Sequence, residues 1–165
     1  MKRKALTITL AAVMAMGTCA VTASAADGDT YNIGICQLVQ HDALDAATQG
    51  FKDEVIKELG EEAVTFDEQN AQGDSNTCST IVNSFVSNNV DLILANATPA
   101  LQAAAAGTSD IPILGTSVTE YGVALGLDDF DGTVGGNISG TADLAPLDEQ
   151  AAMLNELFPD AKNVG

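Results

Sequence analysis

The sequence predicts an α/β fold: an open parallel sheet with helices on both faces. Three observations carry that expectation. Apolar blocks too short for helices, such as Tyr31 to Leu38 and Leu92 to Ala95, show no polar alternation, as expected of strands covered on both sides. Stretches with helical periodicity separate those blocks, and turn residues punctuate the junctions. Strand–helix alternation with short turns implies parallel strands joined by right-handed crossovers.

Taken in order, Tyr31 to Leu38 (YNIGICQL) forms the first strand. Asp42 is the expected cap of the next helix, its side chain accepting from an unpaired backbone N–H. Leu44, Ala47, Phe51, Val55 and Leu59 then recur on one helical face, with Lys52, Asp53 and Glu58 largely on the other. Gly60 stops that helix. Val64 to Phe66 starts a second strand, which meets a polar turn at Gln69 to Gly73. Asp74 or Ser75 opens a second helix bearing Cys78, Ile81, Val82, Phe85 and Val86. Asp91 leads into the third strand, LILA. Thr98 is the expected cap of an alanine-rich helix ending at Gly107, with Pro99 at its first position. Ile111 to Leu114 gives a fourth strand, with Pro112 near its start. A Gly- and Asp-rich loop is expected to run from there to Ile138. A last helix spans Pro146 to Leu157 and is broken by Pro159.

The amino terminus has the layout of a secretory leader. Lys2, Arg3 and Lys4 precede an uncharged stretch from Ala5 to Thr22, and Ala23-Ser24-Ala25 supplies a small-residue exit. The apolar part is interrupted by Thr7, Thr9, Gly17 and Thr18, whereas a membrane span needs roughly 20 mostly apolar residues. Cleavage after Ala25 is the expectation, making residues 1–25 a signal peptide. A lipid anchor through Cys19 is the variant, disfavoured by Thr18 directly before it. The protein is expected to be exported, to the extracellular space or the cell envelope.

The remaining ~140 residues suffice for one domain with a core. Only Lys52, Lys57 and Lys162 are left there to face the chain's 23 Asp and Glu. Such a surface repels phosphate, which excludes nucleic acid and anionic membranes as partners. Trp is absent and only 4% of residues are aromatic, so the core must be aliphatic. Cys36 and Cys78 are expected as buried free thiols rather than a disulfide scaffold. One histidine and two cysteines at no recognised spacing give no zinc site.

Four such strands commonly place the first between the second and third, which opens a crevice at their carboxyl ends. Gln37 to Asp42 and Ala97 to Pro99 fall there, with Ser117 and Thr119 beside them. Uncharged polar groups dominate: Gln37, Gln40, His41, Thr98, Thr116, Ser117 and Thr119. The helix opening at Thr98 presents free N–H groups and a positive dipole end, a seat for a carboxylate. This describes binding better than catalysis.

Catalytic motifs fail one by one. No G-x-G-x-x-G follows the first strand, and no Walker-type Gly-Lys-Ser/Thr occurs. His41 as a base and Ser117 or Ser139 as a nucleophile lack a G-x-S-x-G elbow. With Gly132 at the glycine position of a calcium loop, the first and twelfth ligands would be Leu127 and Ile138, which cannot serve. Asn96-Ala97-Thr98 and Asn137-Ile138-Ser139 match the glycosylation pattern by accident, the first lying in a buried strand end. No catalytic residue, cofactor or metal is expected.

Several segments together resemble one family. They are Ile33 to Val55 (IGICQLVQHDALDAATQGFKDEV), Val90 to Ala104 (VDLILANATPALQAA), Asp110 to Glu120 (DIPILGTSVTE), Gly132 to Pro146 (GTVGGNISGTADLAP) and Leu157 to Gly165 (LFPDAKNVG). The chain is similar to the solute-binding proteins of bacterial ABC importers with the type I periplasmic-binding fold, whose lobes are Rossmann-like. The closer resemblance is to the branch that takes up aromatic amino acids such as tryptophan.

The resemblance implies two α/β lobes closing on a small solute, probed by membrane permease subunits, with the full-length protein monomeric. It implies ligand contacts from Gln37, His41, Thr98, Ser117 and Thr119, with Asn137 in the segment crossing to the second lobe. Residues 26–136 would form the first lobe. Residues 137–165 would form the crossover and the start of a truncated second lobe, the chain being a fragment of a longer protein. The family's usual T-D-P after the fourth strand reads Thr119-Glu120-Tyr121 here. The alternative function is the extracellular sensor domain of a signalling receptor, which reuses this fold.

Overall fold

The computed structural model describes residues 30–163. The leader, its exit at Ala25 and Cys19 lie outside the described residues. Five strands form one parallel sheet: β1 (Tyr31–Gln37), β2 (Val64–Asn70), β3 (Leu92–Asn96), β4 (Ile113–Val118) and β5 (Ile138–Ala142). Their order is β2-β1-β3-β4-β5, so the first strand sits between the second and third, the common order expected for such a sheet.

Helices cover both faces. On one side α1 (Asp42–Leu59) lays Phe51, Val55 and Ile56 over Ile33, Ile35, Val64 and Leu94. On the other, α2 (Ser75–Asn88) and α3 (Thr98–Gly107) pack Cys78, Val82, Phe85 and Leu101 against Cys36, Ile93, Ile113 and Val118. Phe85, Leu101, Ile35 and Ile93 are fully buried, each stabilising the fold by roughly 1.5–3 kcal/mol through apolar burial. Gly34 is what lets Phe85 reach the sheet. A Cβ there would stand 2.7 Å from the Phe85 ring, closer than carbon atoms pack.

Several local expectations are corrected. The cap of α1 is His41, whose Nδ1 accepts the Ala43 N–H at 3.2 Å, and Asp42 is the first helical residue. The cap of α3 is Ala97, not Thr98, and no side chain caps that helix. The reason is the backbone: Ala97 has φ 89° and ψ 157°, and this sharp corner turns the chain one residue earlier than Thr98. β2 runs on through the polar Gln69 and Asn70, because Asn70 pairs with Gln37 in the register to β1. The turn starts at Ala71 instead, through Gln72 at φ 54° and Gly73 at φ 85°.

The expected long loop contains one further element and ends in another. α4 (Tyr121–Leu125) starts at Glu120, whose carboxylate accepts from the N–H of Gly122 at 2.8 Å and of Val123 at 2.5 Å. β5 adds to the sheet edge, with Ile113 opposite Ile138. Four of its five residues are exposed, so it carries no apolar signature. The segment expected to leave for a second lobe thus first contributes a strand to this sheet. α5 (Leu147–Leu157) matches the expected helix and buries nothing. Leu147, Met153, Leu157 and Phe158 are all more than half exposed.

Candidate functional site

The carboxyl edge of the sheet is built by register. Gln37 at the end of β1 lies opposite Asn96 at the end of β3, and Asn96 lies opposite Thr116 of β4. Backbone bonds continue the ladder past the strands: Leu38 N–H donates to Asn96 O at 3.2 Å, and Ala97 N–H to Thr116 O at 3.0 Å. The loops after β1, β3 and β4 therefore emerge side by side.

Beneath them lies a polar cluster of four side chains, of which the sequence reading had singled out only Gln37 for a functional role. Gln37 is 4% exposed. Its Nε2 donates to Asp45 Oδ1 at 2.6 Å and to Val39 O at 3.0 Å. Its Oε1 accepts from the Thr48 hydroxyl at 2.7 Å. Asn96 Nδ2 donates to Thr48 Oγ1 and to Leu44 O, both at 2.9 Å. Gln37 is thus spent on the protein and acts as a strut between β1 and α1. Asn96 Oδ1, fully buried, has no partner among the described residues. The signal for Asn96 was present as a polar residue ending an apolar strand, and Thr48 as a polar residue on the buried face of α1.

Above this floor the hydroxyls are free. Thr98 and Ser117 are half-buried and Thr119 is exposed, and their side chains make no hydrogen bond among the described residues. Ser117 sits at φ 54°, where β4 bulges between Gly115 and Val118. That left-handed conformation costs a non-glycine residue on the order of 1 kcal/mol or more and re-aims its side chain. Ala97 stores strain of the same kind next to it. The uncapped start of α3 leaves the Thr98 and Ala100 N–H groups without intrahelical partners. His41 is exposed at the rim, engaged through Nδ1 as a cap.

Asn137 is not with the others. It precedes β5 at the amino end of the sheet, and its amide donates to Ile111 O at 2.7 Å and Thr108 O at 3.2 Å. It pins a loop at the opposite edge because a parallel strand starts where its neighbours start. Glu120, the departure from the family pattern, is a helix cap.

Two hollows flank β5, one of them reaching the crevice at Thr116. One, about 390 Å³, lies between Ala47 and Phe51 of α1 and Leu94, Leu114, Thr116 and Thr141 of the sheet. The other, about 440 Å³, lies under Tyr121, Phe130 and Val134. The crevice carries the convergent polar groups, and it is an open edge. Among the described residues no three His, Cys, Asp or Glu side chains gather to hold a metal ion.

The sequence and the fold have counterparts among known proteins. Residues 32–165 match the family model described as ABC transporter substrate binding protein. The chain belongs to that family. It is 43% identical over 140 residues to the tyrosine-binding protein of Clostridioides difficile, covering 81% of this chain and 39% of that protein. Among solved structures, it resembles the ligand-free, open form of a substrate binding protein with adhesive properties from Clostridium difficile. That match has a TM-score of 0.71 and 42% identity over 81% of this chain and 45% of the other. It also resembles the ABC domain in complex with L-Trp from Streptococcus pneumoniae, with a TM-score of 0.72 and 30% identity over 80% and 45% of the two chains. The chain spans less than half the length of these relatives.

Proposed function

We propose that this ABC transporter substrate-binding chain forms one wall of an interlobe cleft that binds an amino acid, aromatic in its side chain, for delivery to a membrane permease. The observation that carries the reading is the crevice itself. Free hydroxyls of Thr98 and Ser117 stand beside the uncapped tip of α3, over a floor made rigid by Gln37, Thr48 and Asn96. A ligand carboxylate seated at the α3 tip would take the free N–H groups and the positive dipole end. Thr119 and His41 line the rim. Relatives named for tyrosine binding and crystallised with L-Trp support the ligand class.

The open crevice needs a facing surface. A second lobe after residue 142, beginning with α5, would supply it and would cover the exposed Leu147, Met153 and Leu157. Residues 26–136 with β5 then make the first lobe, and the intact protein works as an exported monomer, freed of its leader after Ala25 or anchored through Cys19. Ligand-driven closure of the lobes is the state a permease would detect. The family match supports this transport role over a receptor's sensor domain, and the relatives are binding proteins rather than enzymes.

Calorimetric titration with tyrosine, tryptophan, phenylalanine and an aliphatic control tests the reading, using the chain extended through its second lobe. Binding of at least one aromatic amino acid, tighter than the control, is the expected result. Absence of heat and of thermal shift with all of them would count against the ligand class.

A further inference from the structure

The two thiols at the heart of the core are neighbours. Cys36 is the second-last residue of β1 and points, like Gly34, toward α2. The turn before α2 is stitched to the same strand end: Ala71 N–H donates to Gln37 O at 2.9 Å, and Gly73 N–H to Leu38 O at 2.7 Å. Cys78 follows one helical turn later, its N–H donating to Asp74 O at 3.1 Å. Both residues are wholly buried in one cluster, on elements that pack directly against each other, and Cys78 is near enough to disfavour ionisation of Cys36. Each is a thiol in this structure.

We propose that Cys36 and Cys78 are a disulfide site, closed while the chain folds in an oxidising compartment. The bond would tie the carboxyl end of β1 to the first turns of α2, under the crevice floor, whatever the solute. One thiolate attacks an external disulfide, oxidised glutathione or the catalytic disulfide of a thiol oxidase, and releases one thiol. The second thiolate then displaces the other thiol. Two protons and two electrons leave the pair, and the external disulfide is reduced to two thiols.

Timing follows from burial. Desolvation, followed by the neighbouring Cys78, pushes the Cys36 thiol far above its ordinary range, and desolvation also raises Cys78. Burial disfavours the thiolate of both in the folded core, which makes them poor nucleophiles there. The exchange belongs to the folding chain. Once made, the bond is shielded from reductant for the same reason.

The test uses the chain extended through its second lobe, with every cysteine other than the pair, Cys19 included, changed to serine, so that only the pair reports. The protein is refolded with oxidised glutathione, then unfolded and treated with iodoacetamide before mass spectrometry. The expected product is about 2 Da lighter than the reduced chain, takes no label, and takes two labels after reduction. Its Tm should lie on the order of 10 °C above that of the chain refolded reduced. Two labels without prior reduction, or a glutathione adduct held on either residue, would overturn the proposal. Cys36→Ala alone should leave Cys78 open to label in denaturant, which controls for access.

Discussion

Gln37 Nε2 donates to Asp45 Oδ1 at 2.6 Å, fixing the end of β1 to the first turn of α1. The bond makes Gln37 part of the crevice floor rather than a ligand contact. Its other donor and its acceptor are also engaged. Gln37→Leu should therefore lower unfolding stability by about 1–3 kcal/mol, since it strands the Thr48 hydroxyl and the Asp45 carboxylate. Urea denaturation measures it. Gln37→Glu should be worse as pH rises above about 5, where two carboxylates face each other.

Gly34 owes its identity to Phe85. Gly34→Ala places a Cβ at 2.7 Å from the ring, and the resulting overpacking should cost about 1–3 kcal/mol. Adding Phe85→Leu should recover part of that loss in a double-mutant cycle. Independent, additive costs would show that the two do not touch.

Ala97 holds φ 89° and ψ 157° without a glycine's freedom. Ala97→Gly should raise stability by about 0.5–1 kcal/mol, the reverse of the usual glycine penalty. Thermal unfolding followed by circular dichroism reads the sign directly.

Thr98 and Ser117 keep their hydroxyls unspent within the fold. Thr98→Ala and Ser117→Ala should each weaken binding of the aromatic amino acid by about tenfold, with unfolding free energy unchanged within about 0.5 kcal/mol. Calorimetry and denaturation on the same samples separate the two effects. Equal loss of stability and affinity would make these residues structural.

Asp74 caps α2, accepting the Thr77 N–H at 2.7 Å. That bond holds its carboxyl below the usual range. A depressed folded pKa means the contribution is present above the unfolded value near 4 and is lost as pH falls through the folded value. Tm measured between pH 2 and pH 7 should fall less steeply on acidification in Asp74→Asn, which keeps a cap without a charge. Asp74→Ala should lower Tm at neutral pH.

Periodicity and punctuation determined the α/β class, the alternation of strands with helices, and which loops are polar. Those features follow from which residues must avoid water and where glycine and proline interrupt, and both are written locally. Tertiary structure alone decided the rest. Ala97, not Thr98, caps α3, because the ladder to Thr116 fixes the corner. Asn137 went to the far edge once β5 joined β4 in parallel. Polar β5 became a strand by pairing rather than by burial. Gln37 became a strut because Asp45 and Thr48 of α1 and the sequence-distant Asn96 of β3 meet at it. Capping and hydrogen-bond partnership are settled between segments, and no local pattern states which donor another segment will use.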